Sequence, residues 1–297
     1  MQNSLKIVLA IDDKSGKYWI NLVVAVASIV KHATEKVELH ILHNKNLSQD
    51  SKQVLRKLHN FLYFHEIKLT GVEAFFGDYS EASLYRLLIP EIFENEQEVL
   101  YVDSDTVCFG LDLTSIRGRL GSARLAAVID PFIAISKIQK ESLAIQKIEV
   151  ERYFNSGILL LNPSKLPKNQ IKEFIKYSNK GFKLIHPDQD YLNYAYQNEL
   201  IVLDEKYNYQ VCIYQQRLFH NLEHYHGKML HYVGKTKPSE GNLCPATIPF
   251  WMYAESFVGV LIEKDIMICE QFRYLYKIPN DIHSIKRTLV DNNRYDK

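Results

Sequence analysis

The sequence has few cysteines, and their spacing excludes two kinds of site. Four cysteines occur in 297 residues, and no two of them form a Cys-x-x-Cys pair. Zinc sites and dense disulfide frameworks use closer and more regular spacings. We therefore expect a cytoplasmic protein in a reducing compartment.

Long apolar runs and an excess of one charge are also missing from the sequence. The longest apolar run, residues 22–30, spans nine positions, whereas a membrane-spanning helix needs roughly 20. The apolar stretch 5–11 is short, and Asp12 and Asp13 follow it directly, so we expect a first strand there and not a signal peptide. The formal net charge of +1 gives no argument for binding nucleic acid.

Strands and helices alternate over about the first 125 residues. The hydrophobic pattern predicts strands at 6–11, 37–42, 64–69 and 99–105, and helices at 18–32, 48–60 and 83–93, the last broken by Pro90. This alternation is typical of an α/β fold with a mainly parallel central sheet flanked by helices. Beyond this region the pattern weakens, and it predicts strands at 125–129, 153–162 and 229–234 and helices at 168–179 and 189–198.

The most informative stretch is residues 99–105, an apolar strand that ends in Asp103 and Asp105. Because side chains alternate between the faces of a strand, we expect both carboxylates to project together from its end. Two like charges at that distance repel unless a cation lies between them, and a divalent cation that prefers oxygen ligands is the simplest answer. Open α/β sheets also bind their ligands at the carboxyl ends of strands.

A second Asp-x-Asp triplet, residues 188–190, has two interpretations. It follows Pro187 and stands at the beginning of a predicted helix. Asp188 or Asp190 can cap that helix and interact with its positive N-terminal end. Alternatively, the triplet contributes to a functional site, and its residues alone leave both interpretations open.

Five segments in a fixed order carry a resemblance to a known family. They are residues 83–90, 99–105, 153–162, 186–193 and 231–238. Together they resemble glycosyltransferase family 8, whose members are retaining enzymes with a GT-A fold that use nucleotide sugars and Mn²⁺. The resemblance implies a GT-A, Rossmann-like domain over residues 1–255 and a short helical C-terminal extension over residues 256–297.

The resemblance also implies a metal site and a set of donor-binding residues. Asp103, Asp105 and His231 resemble the ligands of Mn²⁺ or Mg²⁺, although a single histidine on a strand is more often structural. Asp12 resembles a residue that holds uracil, and a carboxylate accepts from the N–H of uracil but not from cytosine, which favours UDP. The donor-binding positions that the resemblance implies are Ala10, Asp12, Arg86, Asp103, Ser104, Asn155, Ser156, Gly234 and Lys237.

Three further residues resemble the family's catalytic positions. Asp130 resembles a residue that binds hydroxyls of the donor sugar, and Asp188 and Gln189 resemble the pair beside the anomeric carbon. An amide is a poor nucleophile, so Gln189 favours electrostatic stabilisation and front-face attack over double displacement, and the sequence leaves this choice open. Gly157, in the segment beside the donor sugar, permits close backbone approach.

The sequence departs from the family at the base-binding end. Where some members have an Asn and a stacking Tyr, this chain has Lys14 and Ser15, and Tyr18 is the candidate ring for stacking on the base. We expect a metal-dependent enzyme that transfers galactose or glucose from a UDP-sugar to a glycan or glycolipid of the bacterial surface, such as lipopolysaccharide. The alternatives are a self-glucosylating enzyme of the glycogenin type and a non-catalytic protein that binds sugar nucleotides.

The C-terminal tail from Arg273 is rich in basic and aromatic residues. It contains six Lys or Arg against three Asp. Two interpretations stay open, a solvated helical tail and a peripheral contact with an anionic membrane on its cytoplasmic face.

Overall fold

The computed structural model describes residues 4–72, 80–133, 137–212, 221–234, 237–240 and 244–262. Its strands are β1 (Leu5–Ile11), β2 (Val37–His43), β3 (Leu62–Glu66), β4 (Val99–Asp103), β5 (Thr106–Phe109), β6 (Leu125–Ile129), β7 (Phe154–Leu161), β8 (Leu200–Val202), β9 (Tyr209–Val211) and β10 (Lys228–Tyr232). Its α-helices are α1 (Trp19–His32), α2 (Gln49–Leu58), α3 (Ile89–Ile92), α4 (Lys137–Ile145), α5 (Gln170–Ser178), α6 (Pro187–Tyr196), α7 (Leu222–Tyr225) and α8 (Ile248–Ile262). The tail from Arg273 lies outside the described residues.

Seven of the described strands form one sheet in the order β3-β2-β1-β4-β7-β6-β8. The first four of these run parallel to one another, and β6 runs parallel to β8. Strand β7 is antiparallel to both of its neighbours, β4 and β6. The expectation of a mainly parallel central sheet flanked by helices is therefore confirmed.

Both faces of this sheet are buried. In β1, Ile7 and Leu9 pack into the core that α1 and α8 cover, whereas Val8 and Ala10 pack into the core on the opposite face, with residues of α5 and α6. Successive strand residues alternate between faces, so a strand covered on both sides must be apolar throughout. This burial explains why the strands read as continuous apolar runs in the sequence.

The order of the strands changes direction between β1 and β4. From β1 the chain builds β2 and β3 on one side, and β4 then pairs with the other side of β1, with Ala10 opposite Asp103. The two connections leave this point in opposite directions, so a crevice opens at the carboxyl ends of the two strands. Ligands of open α/β sheets bind at such a position.

A second, smaller sheet extends from this crevice. Among the described strands it has the order β5-β10-β9, with β10 antiparallel to β5 and parallel to β9. The register places His231 opposite Thr106, which directly follows Asp105. The antiparallel β7 begins beside the same crevice, because its Phe154 pairs with Ile129 at the end of β6. The two sheets therefore bring five chain segments to one edge: the end of β1, the turn between β4 and β5, the end of β6, the beginning of β7 and the end of β10.

Several elements differ from the sequence predictions. The predicted helix at 83–93 is a 3₁₀ helix over Glu81–Leu88 followed by α3, and Pro90 lies in the first turn of α3 instead of breaking a helix. Proline is tolerated there because the first turn's N–H groups have no helical partner. Strand β3 covers Leu62–Glu66 and not 64–69. The short strands β5, β8 and β9 are too brief to give a periodic pattern, and they were not predicted.

The last described helix crosses the predicted domain boundary. Helix α8 covers Ile248–Ile262 and so continues through residue 255. The remainder of the predicted extension, from residue 263 on, lies outside the described residues. Within the described part of the chain, no helix combines the length and the apolar character that crossing a bilayer requires.

His40, on β2, is buried in a cluster of rings. It stacks on Tyr63 and meets Phe93 edge-on, and its Nδ1 lies 3.0 Å from Nε2 of His65. Burial and, to a smaller extent, His65 lower the pKa of His40, and Glu38 offsets only part of this shift, so that the pKa is about 4. The histidine is therefore neutral in the folded protein at neutral pH.

This burial predicts that acid destabilises the fold. In the unfolded chain the pKa of a histidine is about 6.5, so the unfolded state binds more protons and the free energy of unfolding decreases as the pH falls from 6.5 toward 4. From pH 7 to pH 5 we expect a loss of about 2 kcal/mol from His40 alone. Urea denaturation of wild type and His40→Gln at both pH values measures this contribution. An equal pH dependence in the two proteins would contradict it.

Candidate functional site

A large cavity opens at the crevice between β1 and β4. Its volume is about 1500 Å³, which exceeds the roughly 300–1,000 Å³ of ordinary small-molecule sites. All of the site residues that the sequence predicts line this one cavity: Ala10, Asp12, Arg86, Asp103, Ser104, Asp105, Asp130, Asn155, Ser156, Asp188, Gln189, His231, Gly234 and Lys237. They come from segments far apart in the chain, and the sheet topology brings them together.

Three side chains form a candidate metal site on the wall of this cavity. Asp103, Asp105 and His231 each offer one ligand atom, and these atoms lie within 4.8 Å of one another. Nε2 of His231 lies 3.6 Å from Oδ2 of Asp103 and 3.5 Å from Oδ1 of Asp105. Two carboxylate oxygens and an imidazole nitrogen suit a divalent cation such as Mn²⁺ or Mg²⁺. The residues present therefore fit the metal that the resemblance implies.

The two aspartates converge for a different reason from the predicted one, and strand alternation is the wrong explanation. Strand β4 ends at Asp103, and Asp105 lies in the turn before β5, so the pair does not share one face of a single strand. Two hydrogen bonds hold the turn: Thr106 Oγ1 donates to the carbonyl of Asp103 at 2.8 Å, and the N–H of Tyr232 donates to the carbonyl of Asp105 at 3.0 Å. The turn that joins the two sheets brings the carboxylates together.

Glycine at position 157 leaves the space that the candidate metal site occupies. A Cβ atom on Gly157 would lie 2.2 Å from Cε1 of His231 and 2.7 Å from Oδ2 of Asp103. Both distances are far below a van der Waals contact. Only a residue without a side chain lets the beginning of β7 approach these two ligands so closely.

Two cations lie against the acidic pair. Arg86 Nη2 lies 2.9 Å from Oδ1 of Asp103, which also accepts a hydrogen bond of 2.6 Å from the hydroxyl of Tyr101. Burial raises the pKa of Asp103, and Arg86 only partly opposes this. Lys237 Nζ lies 2.5 Å from Oδ2 of Asp105. Burial works against the ionisation of Asp105 as well, but Lys237 and His231 hold the pKa of that carboxyl well below its usual range.

A hydrogen-bonded network connects Arg86 to the three predicted catalytic residues. Arg86 Nη1 donates to the carbonyl and to Oγ of Ser156, at 2.5 and 2.7 Å. Ser156 Oγ donates to Oδ2 of Asp188 at 3.0 Å, and the N–H of Ser156 donates to Oε1 of Gln189 at 2.8 Å. Gln189 Nε2 in turn donates to Oδ2 of Asp130 at 3.0 Å. The network fixes which way each of these polar groups points.

The two aspartates of the second Asp-x-Asp triplet, Asp188 and Asp190, have different roles. Asp190 Oδ2 accepts from the N–H of Ile185 at 2.6 Å, and its Oδ1 accepts from the hydroxyl of Tyr153 at 2.6 Å. It therefore holds the chain that enters α6. Asp188 lines the cavity and lies with its Oδ2 3.4 Å from Nε of Arg86. Asp190 is structural, and Asp188 belongs to the candidate site.

Asp12 lines the cavity directly after β1. It is 8% exposed, and its Oδ1 accepts from Nδ2 of Asn44 at 2.9 Å and from Nδ2 of Asn46 at 2.7 Å. Its Oδ2 has no hydrogen-bond partner within the described residues, and Lys14 Nζ lies 3.6 Å from it. The carboxylate is buried and oriented and does not lie in a solvated turn. Tyr18, the candidate for stacking, has its hydroxyl against Ser104 and Asp105.

Sequence reasoning missed several residues that hold the site. Tyr101 carried a signal, because it stands two residues before Asp103 on the same strand face. Asn44, Asn46 and Asn208 carried none: they follow or precede strands whose pairing could not be derived from the sequence. Asn208 is buried beside His231, with its Oδ1 3.0 Å from Nδ1 of the imidazole.

Curated relatives of the chain include glycosyltransferases of bacteria. The chain is 31% identical over 175 residues to the lipopolysaccharide glucosyltransferase WaaO of Escherichia coli K12, which covers 54% of this chain and 50% of the relative. It is 26% identical over 247 residues to the glycosyltransferase GlyF of Streptococcus pneumoniae serotype 4, which covers 78% of this chain and 56% of the relative. The matches thus span only about half the length of these relatives.

Solved structures share the fold, and a family model matches the chain. The galactosyltransferase LgtC, solved with donor and acceptor sugar analogues, superimposes with a TM-score of 0.70 at 23% identity and covers 85% of this chain and 96% of that one. GlyE of Streptococcus pneumoniae TIGR4 gives a TM-score of 0.62 at 23% identity, with 89% and 64% covered. At these identities the likeness shows the fold alone. The model of glycosyl transferase family 8, however, matches residues 6–239, and the chain is therefore a member of glycosyltransferase family 8.

Proposed function

We propose that this glycosyltransferase moves galactose or glucose from a UDP-sugar to a glycan or glycolipid acceptor, with retention of configuration and with Mn²⁺ or Mg²⁺ bound. The observation that carries the proposal is the convergence of Asp103, Asp105 and His231 within 4.8 Å in a cavity at the point where the strand order changes direction. Family membership supports glycosyl transfer, and the donor, the metal and the mechanism are the proposed part.

In this proposal the metal is held by Asp103, Asp105 and His231. When bound, such a cation supplies Lewis-acid stabilisation to the diphosphate leaving group. Gly234 and Lys237 both line the cavity, and in this proposal they contact the diphosphate. Lys237 lies against Asp105, and its ammonium group is within reach of an anionic ligand that binds beside that carboxylate. The φ of +86° at Gly234 is a conformation that glycine adopts without strain.

The network around Ser156 supports front-face attack. A double displacement needs a free nucleophile on the far face of the sugar. Oδ2 of Asp188 is paired with Arg86 and Ser156, and both oxygens of Asp130 accept hydrogen bonds, Oδ1 from the N–H of Phe132 and Oδ2 from Gln189. Hydrogen bonds and the ion pair stabilise these carboxylates and so lower their nucleophilicity. They are suited instead to binding sugar hydroxyls and to stabilising positive charge on the sugar ring.

The base-binding end supports uracil. Asn44 and Asn46 saturate one oxygen of Asp12, and the other oxygen is left without a hydrogen-bond partner among the described residues. That oxygen has no exposed surface in this structure, so in this proposal the Asp12 side chain turns toward the cavity and gains a ligand N–H where it now has no hydrogen-bond partner. Uracil offers that N–H at N3, whereas cytosine has an acceptor there.

In this proposal the acceptor binds in the same cavity as the donor. The cavity volume of about 1500 Å³ leaves room for an acceptor sugar beside the donor. WaaO acts on lipopolysaccharide according to its name, and we extend that acceptor class to this chain as a proposal. Two tyrosines line the cavity, Tyr18 and Tyr101, but their hydroxyls lie against Asp105 and Asp103. Tyr63 and Tyr194 are 45% and 38% exposed but lie outside the cavity, so the described residues give no support to self-glucosylation. Membrane contact by the tail stays a proposal from the sequence.

A screen of sugar nucleotides tests the proposal. UDP release from UDP-galactose and UDP-glucose is measured with Mn²⁺ and with EDTA, and CDP-glucose serves as the matched control donor. We expect metal-dependent release of UDP from one of the two UDP-sugars and little reaction with CDP-glucose. Equal rates in EDTA would overturn the metal assignment, and equal use of CDP-glucose would overturn the role of Asp12.

A thermal shift assay gives a second prediction that does not need the acceptor. In this proposal UDP and Mn²⁺ bind next to each other at one site, so each should tighten the binding of the other. We expect the two together to raise the melting temperature by more than the sum of their separate effects. Strictly additive shifts would mean that the two ligands bind independently of each other.

A further inference from the structure

His231 has two ring nitrogens, and only one of them faces the acidic pair. Nε2 faces Asp103 and Asp105, and Nδ1 lies 3.0 Å from Oδ1 of Asn208. We propose that Asn208 is a positioning residue that holds His231 as the Nδ1–H tautomer, so that the lone pair of Nε2 is available to a divalent cation. The inference rests on the proposed function, because it concerns the same metal site.

The direction of the hydrogen bonds can be assigned from a backbone group. The N–H of Gly157 donates to Oδ1 of Asn155 at 2.9 Å, and a backbone N–H can only donate. The same oxygen accepts from Nδ2 of Asn208 at 2.9 Å. Because Nδ2 of Asn208 faces Asn155, its Oδ1 faces the imidazole, and an amide oxygen can only accept. Nδ1 of His231 must therefore carry the proton.

The opposite tautomer of His231 is disfavoured at each step of this series of hydrogen bonds. With the proton on Nε2, the lone pair of Nδ1 would face the amide oxygen of Asn208. A flip of the Asn208 amide would relieve that contact, but it would turn the Asn208 oxygen toward the oxygen of Asn155. A flip of Asn155 would then set its NH₂ group against the N–H of Gly157. Each alternative leaves two like groups in contact in the protein interior, which costs free energy.

Burial makes this arrangement effective. His231, Asn208 and Asn155 are 4%, 1% and 6% exposed, so water cannot readily replace the missing partner. The two carboxylates act in the other direction, because a proton on Nε2 would donate to them. Without Asn208 the acidic pair would therefore favour the tautomer that blocks metal binding. Asn208 counters the preference that the two carboxylates create.

The backbone around Asn208 is held firmly enough for such a role. Asn208 ends a 3₁₀ helix over Glu205–Asn208, which is capped where Asp204 accepts from the N–H of Lys206 at 3.0 Å. Strand β9 follows at once and pairs with β10, with Gln210 opposite His231. A hydrogen-bond partner outside the ligand set that orients a metal-binding histidine is a common feature of metal sites, and its loss costs roughly 10–100-fold in metal affinity.

Two substitutions at Asn208 separate the tautomer from simple packing. Asn208→Leu removes the acceptor, whereas Asn208→Asp keeps an acceptor for Nδ1–H at a cost in stability, because its second oxygen then faces Oδ1 of Asn155. The dissociation constant of Mn²⁺ is measured by electron paramagnetic resonance with UDP present. We expect Asn208→Leu to weaken Mn²⁺ binding about 10–100-fold and Asn208→Asp to weaken it much less. Asn162→Leu is the matched control, because it removes a buried asparagine at the far end of β7 and should leave Mn²⁺ binding unchanged.

The tautomer itself is read from the ¹⁵N chemical shifts of His231 in the metal-free full chain. We expect Nδ1–H in wild type and in Asn208→Asp, and a shift toward Nε2–H in Asn208→Leu. Unchanged Mn²⁺ affinity together with the Nδ1–H tautomer in Asn208→Leu would overturn the inference. If the leucine variant does not fold, the Nε2–H tautomer in Asn208→Asp would overturn it instead. Failure of wild type to bind Mn²⁺ would instead overturn the proposed function.

Discussion

Replacing Gly157 with alanine should remove metal binding and turnover together. The added Cβ would lie 2.2 Å from Cε1 of His231 and 2.7 Å from Oδ2 of Asp103, so at least one of these two groups must move by about an ångström or more. Displacement of that size at a reacting centre costs about 100-fold in rate. We expect the affinity for Mn²⁺ and kcat each to fall by at least about 100-fold.

The matched control is the replacement of a different glycine, Gly121, with alanine. Gly121 has φ of +55°, and no atom lies within 4 Å of the position that a Cβ would take there, so Gly121→Ala adds the same methyl group in open space. It should lower the melting temperature modestly, because alanine is strained at positive φ, and leave Mn²⁺ binding intact. Isothermal titration of Mn²⁺ into both variants in the presence of UDP makes the comparison. Wild-type affinity in Gly157→Ala would show that the metal site lies elsewhere.

Sequence-based prediction was most accurate where each element is long and buried. Strands β1, β2, β4 and β6 lie within one or two residues of their predicted positions, and Ser48 caps α2, accepting from the N–H of Ser51 at 3.0 Å. Continuous apolar runs and a capping residue are local signals, so they survive without tertiary context. Strand β9 has three residues, and its pairing with β10 depends on residues far away in the chain. No local pattern can encode such a pairing.

The candidate site shows the same division between local and long-range information. Asp103 and Asp105 were predicted to converge and they do, but the turn into the second sheet is the cause, and no local pattern indicates that sheet. The orientation of His231 depends on Asn208, and that of Asp12 on Asn44. Each of these partners is joined to its residue by pairing between strands. Residue types can therefore be predicted from motifs, whereas the groups that orient them follow from topology.

Asp103, a proposed metal ligand, carries a cost to stability. Burial raises the pKa of its carboxyl, Arg86 opposes that shift, and Asp105 adds to it, so the net direction is upward. A carboxyl whose pKa is higher in the folded state is disfavoured as the ion, and the free energy of unfolding decreases as the pH rises above the unfolded value of about 3.9. Ionisation of Asp103 in the metal-free protein therefore destabilises the fold, and a bound cation would neutralise that charge.

Asp103→Asn should consequently abolish turnover without destabilising the metal-free protein. Asparagine keeps an oxygen that can accept from Arg86 and Tyr101, as Oδ1 of Asp103 does, and it cannot ionise. Loss of the metal's several kcal/mol at the leaving group lowers kcat on the order of 1000-fold, while the melting temperature in EDTA should equal or exceed that of wild type. Asp50→Asn, at an exposed position in the first turn of α2, is the matched control. It should leave kcat unchanged and lower the melting temperature only slightly, because the negative charge interacts favourably with the N-terminus of the helix. A substantial fall in the melting temperature of Asp103→Asn in EDTA would contradict this expectation. It would show that the carboxylate of Asp103 stabilises the fold through its ion pair with Arg86. Retention of wild-type kcat would remove Asp103 from the metal site altogether.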